Sequence, residues 1–350
     1  MANDITIKIS GEAGQGIDTI GAALCQIFKK AGCHIFANQD YMSRIRGGNN
    51  FFQVRVSDLP LFTLRKKADI LVALDKKSAS LHRADMNEGG VMVLDKKKFN
   101  ISESDDMFFD VPLYDTAMRT GGSDIFINTV SCGLILGMTG IEFGQLEQVV
   151  RKAFADKGEE IVKKNIEAAK AGYDFAAGNP RKDRFKLKAH EPRGNTLLMN
   201  GNDAIALGAV RAGCKFYTGY PMTPSTSIMN MVAHYAGKFN IVVEQAEDEI
   251  AAINMALGAS FAGARSMTAT SGGGFALMVE GLSLAGMTET PVVIVDAQRP
   301  APATGFPTRT EQADMDFLIH AGHGEFARVV YAPGTIEEAF YLTIKAFNIA

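Results

Sequence analysis

Residues 242–259, VVEQAEDEIAAINMALGA, set four carboxylates, Glu244, Glu247, Asp248 and Glu249, ahead of a run in which Asn254 is the one polar side chain. Acids in a first helical turn are favoured by the helix dipole, which accounts for most of the four. Glu249 differs, because at helical spacing it stacks over Ala252, Ile253 and Ala256, a stripe of small apolar residues. A helix apolar nearly all round is expected to be buried. A carboxyl drawn in with it has its ionised form disfavoured, which prepares it to hold and share a proton. The same pattern also fits a Glu249 that reaches back to solvent from the helix end.

Five other stretches could carry chemistry. In SGEAGQGIDTIGAAL a strand runs into Gly11, Gly14 and Gly16 and then a helix, a geometry in which free N–H groups cradle an anion. The spacing is G-x-x-G-x-G, not the dinucleotide fingerprint G-x-G-x-x-G, and plain tight-turn glycines fit it as well. Asp40 ends the next strand, where a ribose-binding acid would stand. In YMSRIRGGNN, Arg44 and Arg46 beside Gly47 and Gly48 suit a phosphate or carboxylate, or form a solvated loop. GYPMTPSTSI places Thr223 before Pro224, which fits a helix N-cap followed by proline at the first helical position, with the hydroxyl at a strand's carboxyl end. TATSGGGFALMVEGL lacks the G-K-[ST] ending of a nucleoside-triphosphate loop, so its three glycines, Gly272 to Gly274, point to close approach of a flat ligand or a neighbouring chain, or to a plain turn. The loop DAQRPAPATGFPTRTEQADM then offers Arg299 and Arg309, residues suited to a carboxylate substrate. His320 and His323 in HAGH have metal-like spacing without an evident third ligand, so no metal site is predicted.

These stretches fall at the ends of strands. Through residue 178 short apolar strands (DITIKIS, HIFANQD, NFFQVRV, DILVALD, GVMVLD) alternate with helical segments, and two amphipathic helices close the set, which predicts an open α/β sheet. Residues 179–194 carry the basic, proline-bearing stretch that reads as a linker. From 195 the alternation restarts, with strands at KFYTGYP, IVVEQ, RSMTATS and PVVIVDA, and predicts a second doubly wound, Rossmann-like sheet. The final helical period runs to Ala350 without a stop signal, so the chain is expected to be cut short there.

A net charge of -3 leaves no electrostatic footprint for nucleic acid. No apolar run approaches the roughly 20 residues of a membrane span, and the amino terminus has no signal-peptide pattern, so a soluble, cytoplasmic protein with no membrane partner is expected. Cys25, Cys33, Cys132 and Cys214 are scattered, as reduced core thiols would be.

Taken in order within one domain, GYPMTPS, EQAEDEIAAINMALGASFAGAR, TATSGGG and GFPTRTEQADM resemble the 2-oxoacid:ferredoxin oxidoreductases, in particular an alpha subunit with a fused amino-terminal gamma domain. GEAGQGIDTIGAAL and SRIRGGNNFFQVRVSD look like the gamma domain, at residues 1–178, and residues 195–350 look like the domain that binds the pyrimidine of thiamine diphosphate. Ala13 and Gly273 depart from the usual gamma loop and the usual T-S-G-P-G, and both keep the loops small. The resemblance implies oxidative decarboxylation of a 2-oxoacid, 2-oxoglutarate favoured, with coenzyme A and ferredoxin. It implies that Glu249 hydrogen-bonds N1′ of the aminopyrimidine, that Tyr220, Pro221, Ser271, Gly272 and Gly273 line the cofactor, and that Thr223 with Arg299, or in reserve Arg309, meets the substrate carboxylate. Gly11, Gly14, Gly16 and Arg46 would form a ligand loop in the gamma domain. It further implies a beta subunit that holds the diphosphate, its Mg²⁺ and a 4Fe-4S cluster, leaving half an active site on this chain. The alternatives are a nicotinamide-dependent dehydrogenase built on the amino-terminal loop, and a non-catalytic assembly subunit.

Overall fold

The computed structural model describes residues 4–42, 47–179, 183–188, 190, 194, 196–302 and 304–350, which fall into two compact units, Met1–Leu198 and Met199–Ala350. The first is built from β1 (Asp4–Ala13), α1 (Ile17–Lys30), β2 (His34–Asp40), β3 (Gly47–Ser57), β4 (Ala68–Ala73), α2 (Lys76–Leu81), β5 (Met86–Leu94), α3 (Lys96–Phe99), β6 (Phe108–Asp110), α4 (Leu113–Gly121), α5 (Ile127–Thr139), α6 (Phe143–Ala153) and α7 (Glu159–Phe175). Its six strands run in the order β2-β3-β1-β4-β5-β6. Period-two alternation sends Ile70 and Val72 of β4 into the main core with Leu24, Phe28 and Leu134, and Leu71 and Ala73 into a smaller core on the other face.

β3 lies antiparallel to both β1 and β2, whereas β1, β4, β5 and β6 are parallel. This bears on the dinucleotide alternative, because that fold sets the strand carrying the ribose acid directly beside the strand of the glycine loop. Here β3 stands between them, so Asp40 is not beside the loop. The stretch read as a linker also packs in part on this unit. Phe185 and Leu187 are buried in its core, and the Leu187 N–H donates to the Thr139 carbonyl at 2.8 Å. Two aromatic or branched side chains in a basic segment suffice for that, and they carry no periodic signal.

The second unit comprises α8 (Gly201–Arg211), β7 (Phe216–Gly219), α9 (Thr226–Phe239), β8 (Val242–Gln245), α10 (Glu249–Phe261), β9 (Ser266–Thr270), α11 (Gly272–Thr288), β10 (Val293–Asp296), α12 (Met315–His320) and α13 (Ile336–Ile349). Its sheet is wholly parallel in the order β10-β9-β7-β8. The chain leaves β7 for β8 on one side and returns to β9 on the other, so a topological switch point lies between β7 and β9. Crevices at the carboxyl ends of strands flanking such a point are where open α/β sheets bind ligands.

Among the described residues no single helix is long and apolar enough to cross a membrane. All four cysteines are buried, and burial pushes the thiols of Cys25, Cys132 and Cys214 up to about 12.

Candidate active site

The second unit brings four strand ends together. The Ala246 N–H donates to the Gly219 carbonyl at 3.1 Å, which ties the turn after β8 to the end of β7. The Ala297 N–H donates to the Thr270 carbonyl at 2.9 Å and joins β10 to β9 in the same way. Tyr220, Pro221 and Thr223 follow β7, Ser271 to Gly273 follow β9, Glu249 follows β8, and Arg299 follows β10.

Glu249 is the first residue of α10 and is 3% exposed, so the carboxyl goes in with the helix and does not reach solvent. Its neighbours take other roles. Asp248 is the N-cap, its carboxylate accepting from the Ala251 N–H at 2.7 Å, while Glu247 precedes the helix and Glu244 lies on the edge strand β8. The expectation of several acids in one first turn is therefore corrected, since the cap fixes the helix start at Glu249. The helix is also buried on one side only. Ala252, Ile253, Ala256 and Leu257 are inside, whereas Ile250 and Met255 are exposed, as are Leu277, Leu284 and Met287 on α11. All-round apolarity there marks a covered core face and an apolar outer face.

The Oε1 of Glu249 is buried and has no hydrogen-bond partner among the described residues. Opposite it stands Gly274, where a Cβ would lie 2.5 Å from that oxygen and 2.0 Å from Thr270 Oγ1. The missing side chain leaves the carboxyl room that any larger residue would take. Ser271 Oγ is likewise fully buried and unpartnered among the described residues. An unsatisfied buried polar atom carries a desolvation cost and in a native protein calls for an explanation.

Thr223 does not cap a helix. The Ser225 N–H and hydroxyl both donate to the Met222 carbonyl, at 2.8 and 2.7 Å, so a turn intervenes and α9 begins at Thr226. The Thr223 carbonyl instead accepts from Arg299 Nη1 at 2.8 Å, and Arg299 is 6% exposed. That contact unites two residues 76 positions apart, singled out for the same carboxylate. Arg309 is half-buried on the loop before Asp314. Tyr220 is exposed at the rim and Pro221 half-buried.

Two further groups at these strand ends went unremarked in the sequence. Asp296 closes β10 with both oxygens buried, and burial, aided by the charge of Asp314, pushes it up to about 7. Asp314 is 6% exposed and packs where a Cβ on Gly272 would meet its carboxylate at 2.3 Å. An aspartate ending an apolar strand and another closing a proline-rich loop look like ordinary boundary residues, so only packing distinguishes them.

In the first unit, Gly14 and Gly16 have φ of 93° and 72°, the left-handed region that favours glycine. Gln15 folds back over Gly11, its Oε1 accepting from the Glu12 N–H at 2.7 Å, and Asn128 of α5 lies against Gly16. Arg46 lies outside the described residues. His320 ends α12, and among the described residues no group of three or more His, Cys, Asp or Glu is placed to hold a metal ion.

Glycine turns, a buried carboxyl and a buried arginine gathered at the carboxyl ends of a parallel sheet define a ligand-binding, doubly wound α/β domain. Residues 207–350 match the family described as pyruvate flavodoxin/ferredoxin oxidoreductase, thiamine diP-binding, and residues 6–175 match pyruvate ferredoxin/flavodoxin oxidoreductase. A 2-oxoacid:ferredoxin oxidoreductase subunit alpha from Sulfolobus is 33% identical over 398 residues, covering 98% of this chain and 62% of that protein. The 2-oxoglutarate synthase subunit KorA of Archaeoglobus fulgidus is 48% identical over 153 residues, 44% of this chain and 44% of that protein. A solved 2-oxoglutarate:ferredoxin oxidoreductase from Magnetococcus marinus, with 2-oxoglutarate, coenzyme A and succinyl-CoA bound, superposes with a TM-score of 0.94 at 33% identity, covering 99% of this chain and 61% of that one. The chain belongs to the 2-oxoacid:ferredoxin oxidoreductase family and is similar over nearly its whole length to alpha subunits. It spans about three fifths of the length of the Sulfolobus subunit and of the Magnetococcus chain.

Proposed function

We propose that this chain provides the pyrimidine-side half of the active site in a thiamine-diphosphate-dependent 2-oxoacid:ferredoxin oxidoreductase, which converts a 2-oxoacid and coenzyme A to acyl-CoA and CO₂ with reduction of ferredoxin. The observation that carries this reading is the buried, unpartnered Oε1 of Glu249 facing Gly274 at the strand ends. Thiamine diphosphate, when bound, supplies the carbanion chemistry that no side chain can. The residues present fit it: Glu249 would hold and share a proton at N1′ of the aminopyrimidine, and the Ser271–Gly273 turn, with Tyr220 and Pro221, would line its flat ring. Exclusion of water from the carboxyl strengthens that hydrogen bond, since a low local dielectric leaves its charge poorly screened.

Arg299 is held by the Thr223 carbonyl through Nη1, which fixes the guanidinium at the strand ends and leaves its remaining donors to meet a substrate carboxylate. 2-Oxoglutarate is the favoured substrate, because two of the similar proteins carry that acid in their names. A beta subunit would hold the diphosphate, Mg²⁺ and a 4Fe-4S cluster, and the exposed apolar face of α10 and α11 is a surface suited to a partner chain.

Two experiments test this reading. The isolated chain should bind thiamine diphosphate weakly, because the diphosphate and its metal ion would take their ligands from the partner. Tight, Mg²⁺-dependent binding in calorimetry of the chain alone would refute the divided site. In the assembled complex Arg299→Ala should raise KM for the 2-oxoacid far more than for coenzyme A, by the ~1.5–3 kcal/mol of one charge-assisted contact. If Arg309→Ala shows that pattern and Arg299→Ala does not, Arg309 holds the carboxylate.

A further inference from the structure

Two buried carboxyls at the end of β10 have no task in the reading above. Neither oxygen of Asp296 has a hydrogen-bond partner among the described residues, although both are shut off from solvent. Asp314 Oδ2 is buried and unpartnered in the same way. Asp314 is nonetheless fixed in place: its N–H donates to Gln298 Oε1 at 3.0 Å, its carbonyl accepts from the Leu318 N–H at 2.9 Å, and its carboxyl abuts Gly272. Neighbouring carboxylates removed from water do not both ionise, because each charge raises the cost of the other. Burial, with the charge of Asp314, raises Asp296, and burial also raises Asp314, where Arg299 opposes and Glu311 adds to the shift. Arg299 and Glu311 are the charged groups that act on Asp314, Asp314 is the one that acts on Asp296, and Glu249 is the other buried carboxyl at these strand ends.

We propose that Asp296 and Asp314 hold one proton between them and thereby set the charge against which Arg299 receives the substrate carboxylate, as positioning residues for the 2-oxoacid. The role rests on the reading in which Arg299 meets that carboxylate. With one proton the pair carries a single negative charge, which balances the guanidinium and leaves the cluster free to accept an anion. Loss of the proton doubles the negative charge, draws Arg299 toward the pair and repels the incoming carboxylate. Asp296 loses its proton as the pH rises through about 7, so the sign is fixed: affinity for the 2-oxoacid falls on the alkaline side. KM should climb by up to about tenfold per pH unit, the limit for one linked proton, with kcat keeping its own profile because the pair does not touch the reacting atoms.

The test has two arms. Infrared difference spectra of the full chain, parent against Asp296→Asn, should show a protonated carboxyl at about pH 6 that fades with a midpoint near 7, and Asp314→Asn should move that midpoint down by removing the neighbouring charge. In the assembled complex, the alkaline rise in KM should vanish in Asp296→Asn, which removes the titrating group, and should move to lower pH in Asp314→Asn together with the infrared midpoint. Absence of the protonated band from the parent overturns the shared proton, and a KM rise that survives in Asp296→Asn or stays in place in Asp314→Asn overturns the positioning role. The infrared arm does not involve substrate. A present band with no effect of Arg299→Ala on KM would therefore remove the positioning role through the failure of the arginine reading, with the shared proton intact.

Discussion

Glu249→Gln in the assembled complex should slow cofactor-dependent proton exchange at C2 of bound thiamine diphosphate by at least ~100-fold, the low end of what a positioned acid–base group contributes. The substitution keeps the side chain's size and a hydrogen-bond donor and removes the acid proton that the carboxyl would share with N1′. Helix stability should be little affected, because Asp248, not Glu249, caps α10. Glu247→Gln is the matched control, an exposed acid just before that cap, where surface substitutions stay within about 0.5 kcal/mol. Nuclear magnetic resonance of the exchange in both variants decides the matter. Equal rates in Glu249→Gln and the parent would reduce the buried carboxyl to a space-filler beside Gly274.

A large loss of stability is expected at Gly172→Ala. Helices α5 and α7 cross so closely that a Cβ on Gly172 would lie 2.0 Å from the Val130 carbonyl oxygen, and one on Gly133 would lie 1.9 Å from that of Ala169. Both obstacles are backbone atoms, so no rotamer change can clear them and one helix must move. Overpacking of this kind costs ~1–3 kcal/mol and more when the backbone shifts, so at least ~3 kcal/mol is expected. For a unit of this size that is a drop of roughly 6–12 °C in Tm. Gly144→Ala, on α6 with nothing within 4 Å of the added carbon, should instead stabilise by about 0.5–1 kcal/mol through helix propensity. Calorimetric melting of the two variants side by side tests the argument, and an unchanged Tm in Gly172→Ala would show that the helix pair is looser than the geometry allows.

The α/β class and the glycine turns were legible in the chain because they depend on local chemistry: period-two and period-3.6 apolar patterns bury one face of each element, and positive φ selects glycine. Helix boundaries were less so. Thr223-Pro224 reads as a cap from residue types alone, yet the Met222–Ser225 turn places the helix start at Thr226, and the helix after β8 opens at Glu249 because Asp248 takes the cap.

Composition could set Glu249 among apolar neighbours, and it left open whether the carboxyl reached solvent; the packing of α10 against α11 closed that choice. Nothing local says that β3 would run antiparallel between β1 and β2, since strand order is a matter of which edges pair over long sequence separations. Nor could spacing reveal Asp296 with Asp314, or Arg299 with Thr223, since each pair is far apart along the chain. Those pairings are made where β7, β9 and β10 end side by side in one parallel sheet, and there burial takes boundary carboxyls out of water, which pushes Asp296 up.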